Sequence, residues 1–253
     1  MRILKKLLFI LSMSVVTMVQ AQTQVIAHRG FWDCEGSAQN SITALQKAAE
    51  IQVYGSEFDV HLTLDGILVV NHDAYIQGYE IATTKYKQLK KLRLGNGERI
   101  STLDNYLKEG KKHPRLKLIL EAKALKSKEM EDIMAKKIVS TVKKYGLEEQ
   151  VEYISFSQNL CEQFKLMCPN SEIAYLNGDL SPKEVKEKGW TGIDYHFKVF
   201  KKHPEWIKES HELGLKVNSW TVNKKKDMQE LTKLKINYLT TNDPLLAKEI
   251  VKR

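Results

Sequence analysis

The chain has 253 residues, 42% of them hydrophobic, which is ample for one sizeable core. No Pro-, Gly- or Ser-rich stretch divides it, so the composition argues against several domains joined by linkers. The formal net charge of +9 favours anionic substrates. The lysines are scattered along helix-like stretches rather than interleaved with stacking aromatic residues, so we expect no nucleic-acid partner.

The N-terminal segment, residues 1–21, is predicted to be a secretory signal peptide. It has a basic start (Arg2 to Lys6), an apolar run (Leu7 to Val19) and small residues before a cleavage point near Ala21. An uncleaved membrane anchor is the alternative, but the run is short for a bilayer span of about 20 residues. We therefore expect an exported protein, periplasmic or secreted, whose mature domain, residues 22–253, is not inserted in a membrane.

Three cysteines, Cys34, Cys161 and Cys168, form an odd set for an exported protein, which can keep disulfides. If the segment between Cys161 and Cys168 stays helical, these two lie two turns and roughly 10 Å apart, too far to bridge. We expect free thiols, with a bridge through Cys34 as the less favoured alternative.

Along the chain, short apolar runs rich in Val, Ile and Tyr alternate with longer helical patterns. The first part predicts strands at 25–27 and 56–60, a helix at 41–51, a hairpin arm at 67–70, an irregular segment at 74–100 and a helix at 102–109 capped by Thr102. The alternation then becomes regular. It predicts strands at 116–120, 151–154, 172–176, 192–195, 216–221 and 238–240, and helices at 127–145, 158–167, 182–188, 201–213, 224–234 and 244–252.

Eight βα units predict an α/β fold, a closed parallel (β/α)₈ barrel of the TIM type with a short excursion after the second strand. An open doubly wound sheet is the competing architecture, but it usually has fewer strands and often a Gly-rich phosphate loop after the first. Neither G-x-G-x-x-G nor G-x-x-x-x-G-K-[ST] occurs here. A barrel builds its active site at the C-terminal ends of its strands, so the residues at those ends are the candidates.

Three carboxylates converge on the ends of two successive barrel strands. Glu57 and Asp59 are two apart on a strand, so both side chains face the same side, and Glu121 ends the next barrel strand. Carboxylates that face into a barrel repel one another and are expensive to bury, and a hard divalent cation, Mg²⁺ or Ca²⁺, relieves both costs. We predict a metal site here. Ion pairing of Glu57 and Asp59 with Arg29 and Lys123 is the alternative.

Two histidines, His28 and His72, follow predicted strands beside these carboxylates. Histidine titrates near pH 6.5, so one imidazole can take a proton from an attacking oxygen while the other gives one to a leaving oxygen, as breaking a phosphodiester requires. We predict that His28 and His72 are an acid–base pair. His196 stays open, and a structural role is expected for four other histidines, His61, His113, His203 and His211.

Arg29 and Lys123 are cations beside the predicted metal, and both are predicted to bind phosphate oxygens, Arg29 through its forked guanidinium and Lys123 as a point charge. Trp220, at the end of the seventh barrel strand, is predicted either as an apolar wall for the substrate or as a core tryptophan.

An ordered set of motifs resembles the glycerophosphodiester phosphodiesterase family. Between Val25 and Asp73 lie V-I-A-H-R-G, Q-N-S-I-T-A-L, S-E-F-D-V, T-L-D-G and V-V-N-H-D, and I-L-E-A-K and W-T-V-N follow later. The resemblance covers nearly the whole mature chain. The ordered set is specific, although any single piece is not.

The resemblance implies a TIM barrel of the phospholipase-C-like phosphodiesterase type that needs Mg²⁺ or Ca²⁺. It implies hydrolysis of glycerophosphodiesters to sn-glycerol 3-phosphate and an alcohol, with the glycerol 2-hydroxyl attacking phosphorus and water opening the cyclic phosphate. The site residues that it implies are the metal ligands Glu57, Asp59 and Glu121, the acid–base pair His28 and His72, and the phosphate-binding residues Arg29 and Lys123.

Two departures from the family pattern bear on the site. The usual P-E-N-T is replaced by A-Q-N-S, so Gln39 removes a negative charge near the mouth, while Asn40 is kept and is expected to orient the site by a hydrogen bond. The usual T-D-x-P is replaced by T-N-D-P, and we expect Asn242 to cap the last helix as Asp does, with little consequence. The segment after His72 is short for the family's inserted subdomain, so we expect substrate choice to lie there.

Two other functions stay open. A related barrel can act on a lipid phosphodiester, as a lysophospholipase D or a phosphatidylinositol-type lipase, because Phe31, Trp32, Tyr75 and Tyr79 can expose apolar surface at the mouth. A catalytically silent binder of a phosphorylated ligand is less favoured, because a binder need not keep both proton-transfer groups.

Overall fold

The computed structural model describes residues 22–252, so the predicted signal peptide lies outside the described residues. Within them, strands and helices alternate as the sequence predicts. The strands are β1 (Gln24–Ala27), β2 (Gly55–Leu62), β3 (Leu68–Val70), β4 (Tyr75–Ile76), β5 (Tyr79–Glu80), β6 (Ser101–Thr102), β7 (Lys117–Ala122), β8 (Val151–Ser155), β9 (Ile173–Tyr175), β10 (Gly192–His196), β11 (Lys216–Trp220) and β12 (Tyr238–Thr241). The helices are α1 (Ile42–Glu50), α2 (Tyr86–Leu89), α3 (Leu103–Gly110), α4 (Lys128–Tyr145), α5 (Gln158–Met167), α6 (Pro182–Glu187), α7 (Phe197–Lys202), α8 (Glu205–Glu212), α9 (Lys225–Lys233) and α10 (Pro244–Val251).

Eight of the strands form a closed parallel barrel. Around it the order is β1, β2, β7, β8, β9, β10, β11 and β12, and β12 pairs with β1 to close the ring. Each of these pairings is parallel. The predicted (β/α)₈ barrel is therefore confirmed.

Side chains of the barrel strands alternate between two cores. In β2, Phe58 and Val60 point outward and are fully buried in the main core, which also holds Ala135 and Ile138 of α4. The inward positions form a smaller cluster around Ile119 and other residues of the barrel interior. Because Glu57 and Asp59 take the positions between the outward residues, the fold turns both carboxylates toward the inside of the barrel.

The prediction of one helix at 201–213 is wrong at its start: Lys201 and Lys202 end a separate helix, α7, and α8 begins only at Glu205. The break falls at His203 and Pro204. Proline has no N–H to donate into a preceding turn, and its ring disfavours helical backbone at the residue before it. His203 accordingly leaves the helical region (φ −130°, ψ 66°), and the chain starts again at Glu205.

The excursion after β2 has its own small core. β3 pairs antiparallel with β2 and β6 pairs antiparallel with β3, and a short β4–β5 hairpin, a 3₁₀ turn and α2 lie between them. A separate apolar cluster holds these pieces together: Val69, Ile76, Ile81, Leu89 and Ile100. The excursion is thus a folded addition to one side of the barrel. An excursion was predicted here, but residues 74–100 are less irregular than expected, because they contain a hairpin, a 3₁₀ turn and a helix.

Cys34, Cys161 and Cys168 are free thiols, as expected. Cys161 and Cys168 are buried against the barrel core, which accounts for them as small apolar side chains. Among residues 22–252, no helix is both long enough and apolar enough to cross a membrane.

Candidate active site

A pocket of about 160 Å³ opens at the C-terminal ends of the barrel strands. Seven of the eight predicted site residues line it, namely His28, Arg29, Glu57, His72, Glu121, Lys123 and Trp220. The eighth, Asp59, is 1% exposed and lies behind them, in contact with Lys123. The structure therefore brings the whole predicted set to one place.

The three carboxylates come from two adjacent strands. Asp59 of β2 is the register partner of Glu121 of β7, and Glu57 lies two residues earlier on the same face of β2. All three side chains are buried, and one oxygen of each lies within 4.8 Å of the others. Three acidic oxygens at this spacing are a ligand set for a hard cation.

Asn40 and Lys123 hold Asp59 in its charged form. The Asn40 amide donates to Asp59 Oδ2 (2.8 Å) and accepts from the Asp59 backbone N–H (3.1 Å), so the orienting role expected for Asn40 is confirmed. Lys123 Nζ lies 2.6 Å from Asp59 Oδ1. Burial alone raises the pKa of Asp59, but the Lys123 ammonium and the Asn40 hydrogen bond outweigh it and leave this pKa below its ordinary value.

Lys123 also lies 2.7 Å from Glu121 Oε1, so it bridges two of the three acids. Burial lowers the pKa of Lys123, but the charges of Asp59 and Glu121 outweigh it, and the amine remains an ammonium. One ammonium does not offset the whole set. Burial and the Asp59 charge still raise the pKa of the Glu121 carboxyl to about 8.

No lysine or arginine among residues 22–252 forms an ion pair with Glu57. Its Oε2 accepts the backbone N–H of Arg29 (2.8 Å), and none of the same residues donates a hydrogen bond to its buried Oε1. Burial, followed by repulsion from Asp59 and Glu121, raises the pKa of Glu57 well above its ordinary value. The alternative to a metal was ion pairing of both acids with Arg29 and Lys123. Within the described residues, Asp59 pairs with Lys123 and more loosely with Arg29, whereas Glu57 pairs with neither side chain. The residual repulsion and the unpartnered oxygen both fit a divalent cation.

His28 follows β1 and is oriented by a residue that follows the neighbouring strand β12, far away along the chain. Its Nδ1 donates to the Asn242 amide oxygen (2.7 Å), which leaves Nε2 unprotonated and 4.0 Å from Glu57 Oε2. Burial and the Arg29 charge lower the pKa of His28 to about 4, so the ring is neutral at neutral pH. The expectation that Asn242 caps the last helix is wrong, since Asp243 caps α10 by accepting from Leu246 N–H and frees the Asn242 side chain for His28.

His72 is anchored at both its backbone and its ring. His61 Nε2 donates to the His72 carbonyl (3.1 Å), which gives His61 the structural role expected of it. His72 Nδ1 donates to Asp73 Oδ1 (2.7 Å) and leaves Nε2 available for proton transfer. Burial lowers the pKa of His72, although the nearby carboxylates of Asp59 and Asp73 oppose this shift.

Arg29 occupies a tight turn. Its backbone is left-handed (φ 58°), and so is that of Gly30 (φ 77°), where a Cβ would lie only 2.6 Å from Ala44 Cβ. The Arg29 side chain is held by Gln39, whose amide oxygen accepts from Nη1 at 2.6 Å. Arg29 Nε lies 3.9 Å from Asp59 Oδ2. The turn therefore places the guanidinium beside the carboxylates. Among the residues described, no carboxylate accepts a hydrogen bond from it.

Trp220 forms part of an apolar wall opposite the charged groups. Its Nε1 donates to the Asp194 carbonyl (2.8 Å), and its ring packs edge-on against Phe156 and His196 at 5.5 and 5.3 Å. The side chain is half-buried and also lines the pocket, so it is not a core tryptophan, and its contact with the substrate stays a prediction. His196, which stayed open, accepts the Lys198 N–H and caps α7.

The other three histidines make contacts outside the pocket. His113 lies 3.3 Å from Glu109, His211 lies 3.2 Å from Asn237, and His203 stacks on the Trp206 ring with the ring centres 4.3 Å apart. Their predicted structural roles agree with these contacts.

Sequence reasoning missed several residues that line or orient the site. Phe156 and Leu176 line the pocket, and each directly follows a barrel strand. They would have been predicted if apolar residues at the strand ends had been included as candidates. Asn242 also follows a strand. Asp194 lies in the middle of β10 and not at its end, so it could be predicted only from its position on the inward face of that strand.

The family model for glycerophosphoryl diester phosphodiesterases matches residues 28–246. The glycerophosphodiester phosphodiesterase of Caldanaerobacter subterraneus subsp. tengcongensis is 28% identical over 250 residues, which cover 92% of this chain and 99% of that protein. The crystal structure of a glycerophosphodiester phosphodiesterase from Parabacteroides distasonis is 48% identical, with a TM-score of 0.90 over 91% of this chain and 97% of that chain.

An Oleispira antarctica phosphodiesterase, solved in complex with the product sn-glycerol 3-phosphate, has the same fold. It is 23% identical, with a TM-score of 0.80 over 92% of this chain and 98% of that one. The family match spans most of the chain and includes every one of the site residues described above. The chain therefore belongs to the glycerophosphoryl diester phosphodiesterase family, and it is a phosphoric diester hydrolase.

Proposed function

We propose that this enzyme hydrolyses glycerophosphodiesters to sn-glycerol 3-phosphate and an alcohol, with a divalent metal and with His28 and His72 as the acid–base pair. One observation carries the proposal: three buried carboxylates, two histidines and two cations meet around one pocket at the barrel mouth. The Oleispira relative, with sn-glycerol 3-phosphate as its product, supports the same product here.

Glu57, Asp59 and Glu121 are the residues that would hold the metal, Mg²⁺ or Ca²⁺. Their oxygens lie within 4.8 Å of one another, and Glu57 Oε1 is buried without a donor. A bound divalent cation supplies Lewis-acid stabilisation of the negative charge that develops on the phosphoryl oxygens.

Arg29 and Lys123 bind the phosphoryl group from the charged side of the pocket. The Arg29 turn aims its guanidinium at the mouth, and Lys123 remains an ammonium between two acids. On the opposite side, Trp220 and Phe156 present apolar surface to the carbon skeleton of the substrate. The phosphodiester is thus held between fixed charges and an apolar wall.

Proton transfer falls to the two imidazoles. One removes a proton from the attacking hydroxyl as the new P–O bond forms, and the other gives a proton to the alcohol oxygen as the old P–O bond breaks. Asn242 fixes the His28 tautomer and Asp73 fixes that of His72, because each accepts from Nδ1. Each imidazole therefore presents its Nε2 to the substrate. The base has no proton on Nε2, and the acid starts the step as an imidazolium and gives up its Nε2 proton.

A lipid phosphodiester is the second candidate substrate, and exposed tyrosines favour it. Tyr75 and Tyr79 of the β4–β5 hairpin are 58% and 43% exposed, and aromatic side chains of this kind suit contact with a lipid surface. In that case the chain would act as a lysophospholipase D or a phosphatidylinositol-type lipase and would use the same catalytic groups.

A panel of substrates separates these functions. The purified protein is incubated with glycerophosphocholine, glycerophosphoethanolamine or lysophosphatidylcholine, with Mg²⁺, Ca²⁺ or a chelator, and sn-glycerol 3-phosphate and choline are measured. We expect both glycerophosphodiesters to be split, and chelation to stop the reaction. No turnover of any diester with either metal would reject the enzymatic proposal, and turnover that ignores the chelator would reject the metal.

His72→Ala tests the acid–base assignment. We expect turnover to fall by roughly 10²–10⁴-fold, the range that a general acid–base group contributes, with an unchanged thermal midpoint. His113→Ala is the matched control, because His113 pairs with Glu109 before β7, at the other end of the barrel. A fully active His72→Ala protein removes His72 from the mechanism.

We also propose that the enzyme is exported, periplasmic or secreted, with residues 1–21 removed and no stable membrane insertion afterwards. The basic start and short apolar run of the N terminus support this. Mass spectrometry of the exported fraction should find a mature chain that begins near Gln22. Full-length chain confined to the membrane fraction would contradict the proposal.

A further inference from the structure

Gln39 is the side chain that holds the Arg29 guanidinium. Its amide oxygen accepts from Arg29 Nη1 at 2.6 Å, and this is a neutral acceptor. Arg29 Nε is buried, and no residue in the described part of the chain accepts a hydrogen bond from it; Asp59 Oδ2 lies 3.9 Å away. An arginine at a site this acidic usually gives one face of its fork to a carboxylate.

The nearby acids are engaged elsewhere. Asp59 receives Lys123 and the Asn40 amide, Glu121 receives Lys123, and Glu57 receives the Arg29 backbone N–H rather than its side chain. Within the part of the chain that the structure describes, a neutral amide orients the Arg29 guanidinium, and no carboxylate accepts a hydrogen bond from it. Its charge remains available to a ligand at the mouth, where Arg29 lines the pocket.

We propose that Gln39 is a positioning residue that aims Arg29 through a neutral acceptor, and that its neutrality makes this site favour dianionic phosphomonoesters over monoanionic phosphodiesters. The inference rests on the proposed function, in which the substrate is the monoanion and the product, sn-glycerol 3-phosphate, the dianion. A site tuned in this way retains its product, so the product inhibits the enzyme by competition.

The size of the effect follows from Coulomb's law. A carboxylate in place of the Gln39 amide would lie roughly 7 Å from a phosphate on the far side of the guanidinium. At an effective dielectric of about 35, for a mouth open to water, this repulsion weakens the binding of a monoanion about tenfold. The repulsion doubles for a dianion, so the affinity for the product class falls about a hundredfold. The preference for the dianion over the monoanion thus changes about tenfold.

Three variants separate charge from geometry. Gln39→Glu keeps the size and the acceptor and adds a charge, Gln39→Ala removes the acceptor and adds no charge, and Gln158→Glu is the control. Gln158 is the first residue of α5, at the same end of the barrel, and its side chain contacts the Tyr175 hydroxyl rather than Arg29. Each protein is saturated with Mg²⁺ or Ca²⁺ and titrated by calorimetry at pH 8 with sn-glycerol 3-phosphate and with dimethyl phosphate.

We expect Gln39→Glu to lose about a hundredfold in affinity for sn-glycerol 3-phosphate and about tenfold for dimethyl phosphate. Gln39→Ala should lose affinity for both anions, and less for sn-glycerol 3-phosphate than Gln39→Glu does, since it releases the arginine without adding a charge. Gln158→Glu should bind like the native protein. Equal losses for the two anions in Gln39→Glu overturn the inference, and so does native affinity in Gln39→Ala, which tests the positioning role even if the glutamate variant fails to fold.

Binding and turnover are measured separately, so the inference and the proposed function can fail independently. A native protein that binds sn-glycerol 3-phosphate more tightly than dimethyl phosphate but splits no diester refutes the function and leaves Gln39 its role. A native protein that splits glycerophosphodiesters but binds the two anions equally refutes the role of Gln39 alone.

Discussion

Asn40→Ala is expected to destabilise the protein by about 4 kcal/mol, because one side chain makes two buried hydrogen bonds on a constrained backbone. The amide donates to Asp59 Oδ2 at 2.8 Å and accepts from the Asp59 N–H at 3.1 Å. Losing the bond to the carboxylate costs roughly 1.5–3 kcal/mol, and losing the bond to the backbone costs about 1 kcal/mol. The left-handed backbone (φ 61°) costs alanine roughly 1 kcal/mol more.

Thermal unfolding in the presence of a chelator measures this loss without stabilisation by bound metal. In a chain of this size 1 kcal/mol corresponds to about 2–4 °C, so the midpoint of Asn40→Ala should fall by roughly 8–16 °C. Asn40→Gly is the matched variant. It loses the same hydrogen bonds but accepts the backbone conformation, so it should be about 1 kcal/mol more stable than the alanine variant. An alanine variant within about 3 °C of the native midpoint would refute the reasoning.

Burial raises the pKa of Asp194 from 3.8 to about 7. Protonation of this carboxyl therefore favours the folded state below pH 4, and the stabilisation is lost as the pH rises through 7. Asp194→Asn should raise the free energy of unfolding by at most about 4 kcal/mol at pH 8 and hardly at all at pH 4. Asn242→Ala removes the acceptor for His28 Nδ1, and steady-state kinetics should show kcat reduced about 10–100-fold with the fold intact, whereas Asn242→Asp should keep most activity. Gly30→Ala should cost about 3 kcal/mol or more, because its Cβ would lie 2.6 Å from α1 at φ 77°, whereas Gly36→Ala, with φ 72° and open space, should cost about 1 kcal/mol.

Equal stabilisation by Asp194→Asn at pH 4 and pH 8 would assign the effect to packing rather than to ionisation. Native kcat in Asn242→Ala would show that His28 needs no orienting acceptor. Equal losses in the two glycine variants, measured by thermal unfolding, would place the whole cost in backbone conformation and none in the close approach to α1.

Much of the barrel was predictable because its signals are local. A strand buried on both faces reads as a short run of Val, Ile and Tyr, and helices such as α4 carry their own period and caps, so the predicted boundaries agree with the structure to within about two residues. Glu57 and Asp59 were predictable for the same reason, since period-two alternation places both on the face opposite Phe58. The split between α7 and α8 was missed because the apolar pattern continues across Pro204. Proline interrupts the helix there although the apolar pattern does not change.

What could not be predicted depends on contacts between distant parts of the chain. Asn242 meets His28 across more than two hundred residues, and nothing near Asn242 in the sequence indicates that its side chain turns inward while Asp243 takes over the cap. The division of partners among the acids was equally hidden. The same three carboxylates and two cations allow several pairings. Only the register of β2 against β7 places Lys123 in contact with Asp59 and Glu121, so that no lysine or arginine of residues 22–252 pairs with Glu57.

The way the excursion is attached to β2 has a consequence for how this enzyme can change. Residues 55–60 of β2 pair with β7 and residues 60–62 pair with β3, while β6 returns to pair with β3. The two ends of the segment 74–100 therefore lie side by side, whatever the residues between them, and Glu57 and Asp59 lie on the other half of β2. A segment from another family member could be joined at these two ends without moving the strand that carries both carboxylates. The prediction that this segment governs substrate choice could then be tested apart from the chemistry.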